Sequence, residues 1–328
     1  GRGPTFMGMF QHGPKPAGAV ICMLLACAAL VACQNQPRVE TAHQTRRDLS
    51  EAQRYAEQGL FEAALAAFER VLDENPRQVQ AHIGVGDVHE ARGDYGQAAE
   101  RYAIAKALDP GNYKATYKLG LMYHLLDRVR DAIREYLQAI AIRPESFDAN
   151  LNLATAYLQI NEPALGLPYA EQAVKLNPNS QTAHANLGAI YAAMGQYALA
   201  IDEYRAAAEL GDLEPQIALN MAEALIRAGR YPQALNVLRI LAAGQGRDNA
   251  EVYERTGYAH FKAGDYEKSL AAYEKALEIA PDDPAALNGK GVNLMTMYLK
   301  GKREDTSLRD RAIAAWQKSV QADPTQRR

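Results

Sequence analysis

No cysteine occurs after residue 33: the chain's three are Cys22, Cys27 and Cys33. Beyond that point the chain can form neither an intramolecular disulfide nor a thiolate metal site. Its body therefore folds independently of redox compartment. Tryptophan is nearly missing, with Trp316 alone. There is no basic excess, since 36 Lys and Arg stand against 39 Asp and Glu, a net charge of -3. The first 33 residues hold Arg2 and Lys15 and no acid, so the rest is more acidic still. Non-specific nucleic-acid binding needs a basic footprint, and no nucleic-acid partner is expected. Glycine and proline are scattered and form no low-complexity block. HExxH, a phosphate-binding glycine loop and G-x-S-x-G are all missing. No catalytic residue, cofactor or metal is therefore expected. His82, His89, His124, His184 and His260 fall on repeat places, three or more residues apart, and read as core or groove residues sooner than as metal ligands.

One long uncharged apolar run exists, from Ala17 to Ala32, after a segment carrying Arg2, His12 and Lys15. A positive start and an apolar stretch closing on small residues is the layout of a secretory signal. The run is short for a membrane span, which needs about 20 apolar residues. The chain starts with glycine; initiation at Met9 would give a signal of ordinary length. The run closes Leu30-Val31-Ala32-Cys33 and resembles a bacterial lipobox. That resemblance implies residues 1–32 are removed and Cys33 becomes an acylated N-terminus. Its thiol would take a diacylglycerol as a thioether, and more than one acyl chain gives a stable anchor. An ordinary cleaved signal or an uncleaved anchor is the alternative. Gln34 stands where aspartate would favour inner-membrane retention in enteric-type bacteria, so the outer membrane is expected. Residues 33–44 read as acylated cysteine and flexible tether.

After the tether the chain repeats. Pro76, Pro110, Pro144 and Pro178 lie 34 residues apart, each after an apolar helical stretch. With Thr45 as the first place, the eighth place reads Ala52, Gly86, Gly120, Ala154, Gly188, Ala222, Gly257 and Gly291. The twentieth reads Ala64, Ala98, Ala132, Gly166, Ala200, Ala234, Ser269 and Ala312. Small residues at two fixed places let two helices approach closely. Between them lie turns such as Gly59-Leu60-Phe61, Gly93-Asp94-Tyr95, Gly195-Gln196-Tyr197, Gly229-Arg230-Tyr231 and Gly264-Asp265-Tyr266, where a left-handed glycine ends the first helix. Aromatics fill inward places, among them Tyr55, Tyr123, Tyr157 and Tyr191 on first helices and Phe68, Tyr102, Tyr136, Tyr204 and Tyr273 on second helices. Apolar spacing is helical throughout, with no period-two run.

These residues resemble the tetratricopeptide repeat family, a 34-residue helix-turn-helix unit. The resemblance covers residues 45–326 and implies an all-α fold, a right-handed superhelix of about eight units: 45–78, 79–112, 113–146, 147–180, 181–214, 215–248, 250–283 and 284–326. Asp248 or Asn249 is extra, and the eighth unit has an enlarged turn around 299–310. Units five and six lack the closing proline, and unit four has Gly166 and Pro168 early in its second helix. A bend or loosening is expected there. No added capping helix follows Trp316 and Val320, so that end is a candidate for self-association.

The fifth, ninth and twelfth places of each first helix lie roughly opposite its packing face. In this family they line a concave groove. Here they hold Tyr117 and Leu121, Leu151 and Leu158, Ala185, Ala189 and Ala192, Leu219 and Ile226, Tyr258 and Phe261, and Val292 and Met295. Helices apolar on two faces should not show the second to water. A groove for an apolar peptide segment is the preferred reading, and burial of these groups between neighbouring units is the alternative. Asn152, Asn186 and Asn220 recur 34 apart on the flank. By resemblance such a ladder hydrogen-bonds the backbone of a bound extended segment; the alternative is that asparagine is simply common at that place. The lysine-asparagine clamp of chaperone-binding members is missing, since Ile83, Asp87, Tyr117 and Leu121 occupy comparable places.

The resemblance implies a protein-binding scaffold and not an enzyme. Similar bacterial lipoproteins assist pilus assembly, outer-membrane protein insertion, exopolysaccharide export and control of peptidoglycan hydrolases. The expected function is a membrane-anchored, periplasm-facing assembly factor for a pilus, secretion or export complex. The alternative is a non-catalytic adaptor regulating a peptidoglycan hydrolase or protease.

Overall fold

The computed structural model describes Gly1 and residues 44–325. Residues 2–43, which hold Cys33 and nearly all of the expected signal and tether, lie outside the described residues. Every regular element among those described is an α-helix. They run α1 (44–57), α2 (Phe61–Glu74), α3 (Val79–Arg92), α4 (Tyr95–Leu108), α5 (Tyr113–Leu125), α6 (Val129–Ile142), α7 (Phe147–Gln159) and α8 (Pro163–Leu176). Then follow α9 (Gln181–Ala193), α10 (Tyr197–Glu209), α11 (Pro215–Arg227), α12 (Tyr231–Ala243), α13 (Ala250–Ala263), α14 (Tyr266–Ile279), α15 (Pro284–Lys300) and α16 (Thr306–Ala322). From α3 onward each odd-numbered helix packs most closely on the even-numbered helix after it, and each hairpin then stacks on the next within its unit. The expected all-α solenoid is the fold present. Two compact units are distinguished, one ending at Pro110 and the other beginning at Gly111.

The turns inside hairpins form because one residue adopts a left-handed backbone. Gly59, Gly93, Gly195, Gly229 and Gly264 do so, with φ between 73° and 87°. This conformation suits glycine, which lacks a Cβ. Asp127 (φ 58°) and Asn161 (φ 59°) take the same role in the third and fourth hairpins. Asparagine and aspartate tolerate this region better than other side chains. The turns between hairpins are held differently. The carbonyls of Pro76, Pro144 and Pro178 are bound by the next helix: His82 Nε2 lies 2.9 Å from the first, Asn150 Nδ2 donates to the second at 3.1 Å, and His184 Nε2 lies 3.0 Å from the third. Asn112, Ser146, Ser180, Asn249, Asp283 and Asp305 also cap helices, each side-chain oxygen accepting a backbone N–H of the first turn.

The core of most hairpins is a small-to-large contact; in the fourth, Ala154 and Ala170 are both small. A Cβ on Gly120 would stand 2.9 Å from the Tyr136 ring, one on Gly257 2.9 Å from Tyr273, and one on Gly188 3.0 Å from Tyr204. On Gly291 it would overlap the Trp316 indole. The eighth-place glycine is thus the seat of an aromatic from the second helix. Where the eighth place is Ala222, the second helix brings the smaller Leu238. Pro168 lies inside α8 without ending it.

Candidate peptide-binding face

The face lies on the odd-numbered helices of residues 111–328. Neighbouring first helices touch one another along it from α7 to α15. Each uses its inward positions, such as Leu119 and Met122 in α5 or Leu153 and Ala156 in α7, to build the core. What remains on the groove face is mixed. Tyr117, Leu121, Leu151, Leu158, Tyr258 and Phe261 are half-buried, and Val292 is exposed. These keep surface for a partner.

Leu219 and Ile226 do not. Each is 2% exposed, in a core cluster with Leu225 and Leu238 against which Ala192 and Tyr258 pack. For these two the expectation of a groove-lining role is corrected: the alternative, burial between units, describes them. The preceding first helix offers Ala185, Ala189 and Ala192 at the corresponding places, and Ala192 packs against the cluster that holds Leu219 and Ile226.

The asparagines have partners within the protein. Asn152 Nδ2 donates to the Tyr117 hydroxyl at 2.9 Å, and Asn186 Nδ2 donates to Thr155 Oγ1 at 2.7 Å. Both bonds tie one first helix to the preceding one. Asn220 is exposed, and its Oδ1 accepts from Gln216 of the same helix at 3.3 Å. The first two therefore serve as rungs between repeats, and only Asn220 presents its amide to the surface.

Tyr117 is fixed on several sides. It stacks on Tyr113 with ring centroids 5.7 Å apart, and the Arg143 guanidinium lies over Tyr113 at 4.1 Å. The Tyr113 and Ser146 hydroxyls are hydrogen-bonded. The histidines also have local roles. His124 Nε2 lies 2.8 Å from Gln159 Oε1 of the next first helix, and His184 Nδ1 lies 2.7 Å from Glu203. No cluster of three metal-ligating groups exists among the described residues.

A charged network was not anticipated. Glu223, at a ninth place, accepts from Arg227 Nε at 2.7 Å and from Arg255 Nη1 of the next first helix at 2.5 Å. Arg255 also pairs with Glu251 and Glu254 of its own helix. Burial pushes the Glu254 carboxyl up to about 6, against the pull of Arg255 and with the acids Asp283, Glu223 and Glu251 adding to the rise. The sequence signal was a glutamate at each of two groove places, Glu223 and Glu254, within an otherwise mostly apolar series.

A tetratricopeptide repeat model matches residues 49–113, 86–150, 151–215 and 219–284, more than half of the chain. The chain belongs to the tetratricopeptide repeat family. Tetratricopeptide repeat proteins are protein-interaction scaffolds that take peptide or protein segments in their groove. Nothing in the family or the fold indicates catalysis. Similar solved structures include a tetratricopeptide repeat protein from Parabacteroides merdae at 12% identity (TM-score 0.54), covering 77% of this chain and 99% of that one. Pseudomonas aeruginosa pilF is 20% identical with TM-score 0.53, over 62% and 92% of the two chains. A chain of the APC/C hetero-tetramer Cut9–Hcn1 is 15% identical with TM-score 0.52, over 85% and 53%. At these identities the tetratricopeptide repeat likeness concerns the fold. No curated protein matches the chain.

Proposed function

We propose that this protein is a lipid-anchored scaffold of the bacterial envelope that holds an extended apolar segment of an assembly partner along the groove face of residues 111–328. The observation that carries the reading is the set of half-buried Tyr117, Leu121, Leu151, Leu158, Tyr258 and Phe261 on helices that already have a complete core on their other side. Apolar groups left together at a surface mark an interaction site, and here they form two patches, on α5 with α7 and on α13, separated by the alanines of α9 and the buried Leu219 and Ile226 of α11. Helix-stacked repeats present such patches on rigid elements, so a bound segment loses most of the ordering entropy alone.

The anchor rests on the Leu30-Val31-Ala32-Cys33 resemblance and on Gln34, which favours the outer membrane. No helix among the described residues is long and apolar enough to cross a membrane. A subunit of a pilus, secretion or export complex is the partner class proposed. Self-association is proposed through α16, where Ile313 and Val320 are 42% and 54% exposed seven residues apart on one helix.

A photo-crosslinking residue at Leu121 or Leu158 in living cells tests the partner. Crosslinks to a channel or pilus subunit are expected; crosslinks confined to peptidoglycan hydrolases or proteases would replace assembly by the adaptor role. Cys33→Ser should abolish incorporation of labelled fatty acid and release the protein from the membrane fraction. Retained label would refute the lipobox.

A further inference from the structure

The groove face changes character at α9. Its fifth, ninth and twelfth places are Ala185, Ala189 and Ala192, whereas α7 has Leu151, Thr155 and Leu158 there. Beside α11 the missing bulk leaves a cleft of about 380 Å³. That volume lies at the small end of ligand clefts, ~300–1,000 Å³. Ala189, Ala192 and Ala224 supply an apolar floor beside Tyr197 and Tyr204, and Asn220, Glu223, Arg227 and Arg255 supply the polar rim.

The rim has hydrogen-bond donors to spare and no spare carboxylate. Both oxygens of Glu223 already hold guanidinium groups, one from Arg227 and one from Arg255. Arg227 spends only its Nε on that bond, and its terminal nitrogens have no hydrogen-bond partner among the described residues although the side chain is 55% exposed. The Arg255 Nε is buried and faces Glu254 Oε2 at 3.5 Å, so it offers the cleft no donor. Asn220 uses its oxygen on Gln216 and leaves its amide N–H groups open. Glu251 and Glu254 pair with Arg255 but do not line the cleft. An arginine with free terminal N–H groups matches a carboxylate, which can take two of them at once.

We propose that this cleft is a side-chain subsite that takes a bulky apolar residue, Phe or Leu, whose immediate neighbour in the bound segment is Asp or Glu. The apolar group fills the alanine floor, and the adjacent carboxylate lies on Arg227 and Asn220. The partner segment is thereby acidic as well as apolar at this point of the groove. The subsite deepens the groove reading above and rests on it.

Alanine-methyl and leucine-methyl signals of the isotopically labelled protein can be followed while short amidated peptides are added. One peptide carries Phe between two Glu residues, a second has Lys in place of both Glu, and a third has Ala in place of Phe. The first should move the Ala189, Ala192 and Ala224 signals at a concentration ten-fold or more below the other two. Ala192→Leu, which fills the floor and keeps every charge, should remove that response. Arg227→Gln, on the protein surface, should bring the Glu and Lys peptides to equal affinity. Equal response of the native protein to the Glu and Lys peptides would overturn the proposal, as would binding indifferent to both substitutions. Shifts confined to Leu121 and Leu151 would sink the subsite and leave the groove standing. No shift anywhere with any peptide would count against both.

Discussion

Gly120 and Tyr136 illustrate how single residues set this fold. An alanine methyl at Gly120 would stand 2.9 Å from the ring of a tyrosine that is fully buried and whose hydroxyl is 3.4 Å from His124 Nδ1. Over-packing of this kind costs about 1–3 kcal/mol, against about 1 kcal/mol of helix propensity gained by replacing glycine. Gly120→Ala should lower the urea midpoint on balance. Combined with Tyr136→Leu it should cost less than the sum of the two single changes, because the pair then imitates Ala222 with Leu238; additive losses would contradict the steric account. The eighth-place small residues and the second-helix aromatics are both visible in the sequence. Their pairing is not, because 16 residues separate them and nothing local links their sizes.

Glu254 gives a second prediction at this scale. Burial raises its folded pKa to about 6 from an ordinary 4.5. The folded state therefore binds more protons than the unfolded state between those values, and this group's contribution to stability falls as pH rises from about 4.5 to 6. Above that window its charge is a standing cost, on the order of 1–2 kcal/mol. Glu254→Gln should raise the unfolding midpoint at pH 7 to 8 and give no gain at pH 4. A gain that is the same at all pH values would exclude the titration as the cause.

At the scale of the element, the hairpin turns separate what glycine does from what the backbone requires. Five turns use glycine, but Asp127 and Asn161 hold the same left-handed conformation. Asn161→Gly should be neutral or slightly stabilising. Asn161→Val should cost about 1–2 kcal/mol, because a β-branched side chain crowds the following carbonyl in that region; thermal unfolding reads both. The glycine turns were legible because glycine is the usual residue there. Asp127 and Asn161 occupy the same repeat place but lack that signature. In α8, Pro168 removes the N–H that would bond the Ala164 carbonyl. Pro168→Ala should stabilise the protein, and its crystal structure should show α8 straightened or unchanged.

At the scale of the whole molecule, stability within each compact unit is distributed between neighbours, since each hairpin packs on itself and then stacks on the next. Leu153 is fully buried between the third and fourth hairpins. Leu153→Ala should cost about 2–5 kcal/mol. Hydrogen exchange should rise in α5 to α8 and leave α1 to α4 protected as before. Uniform loss of protection over the described residues would mean a single cooperative core instead of a chain of local ones.

The sequence by itself determined the repeat, the helical pairing and most of the turns. Those features arise from contacts within one 34-residue unit and recur with it, so their residue types are legible at fixed spacing. Only the tertiary structure decided which groove places are open. Leu151 and Leu219 occupy the same place of their repeats, yet the first is half-buried and the second is 2% exposed. Likewise Asn152 and Asn186 bridge helices while Asn220 faces outward. The room at each place depends on the side chains that the adjoining repeat brings beside it, and Ala192 of α9 both packs against the cluster that holds Leu219 and lines the cleft next to it.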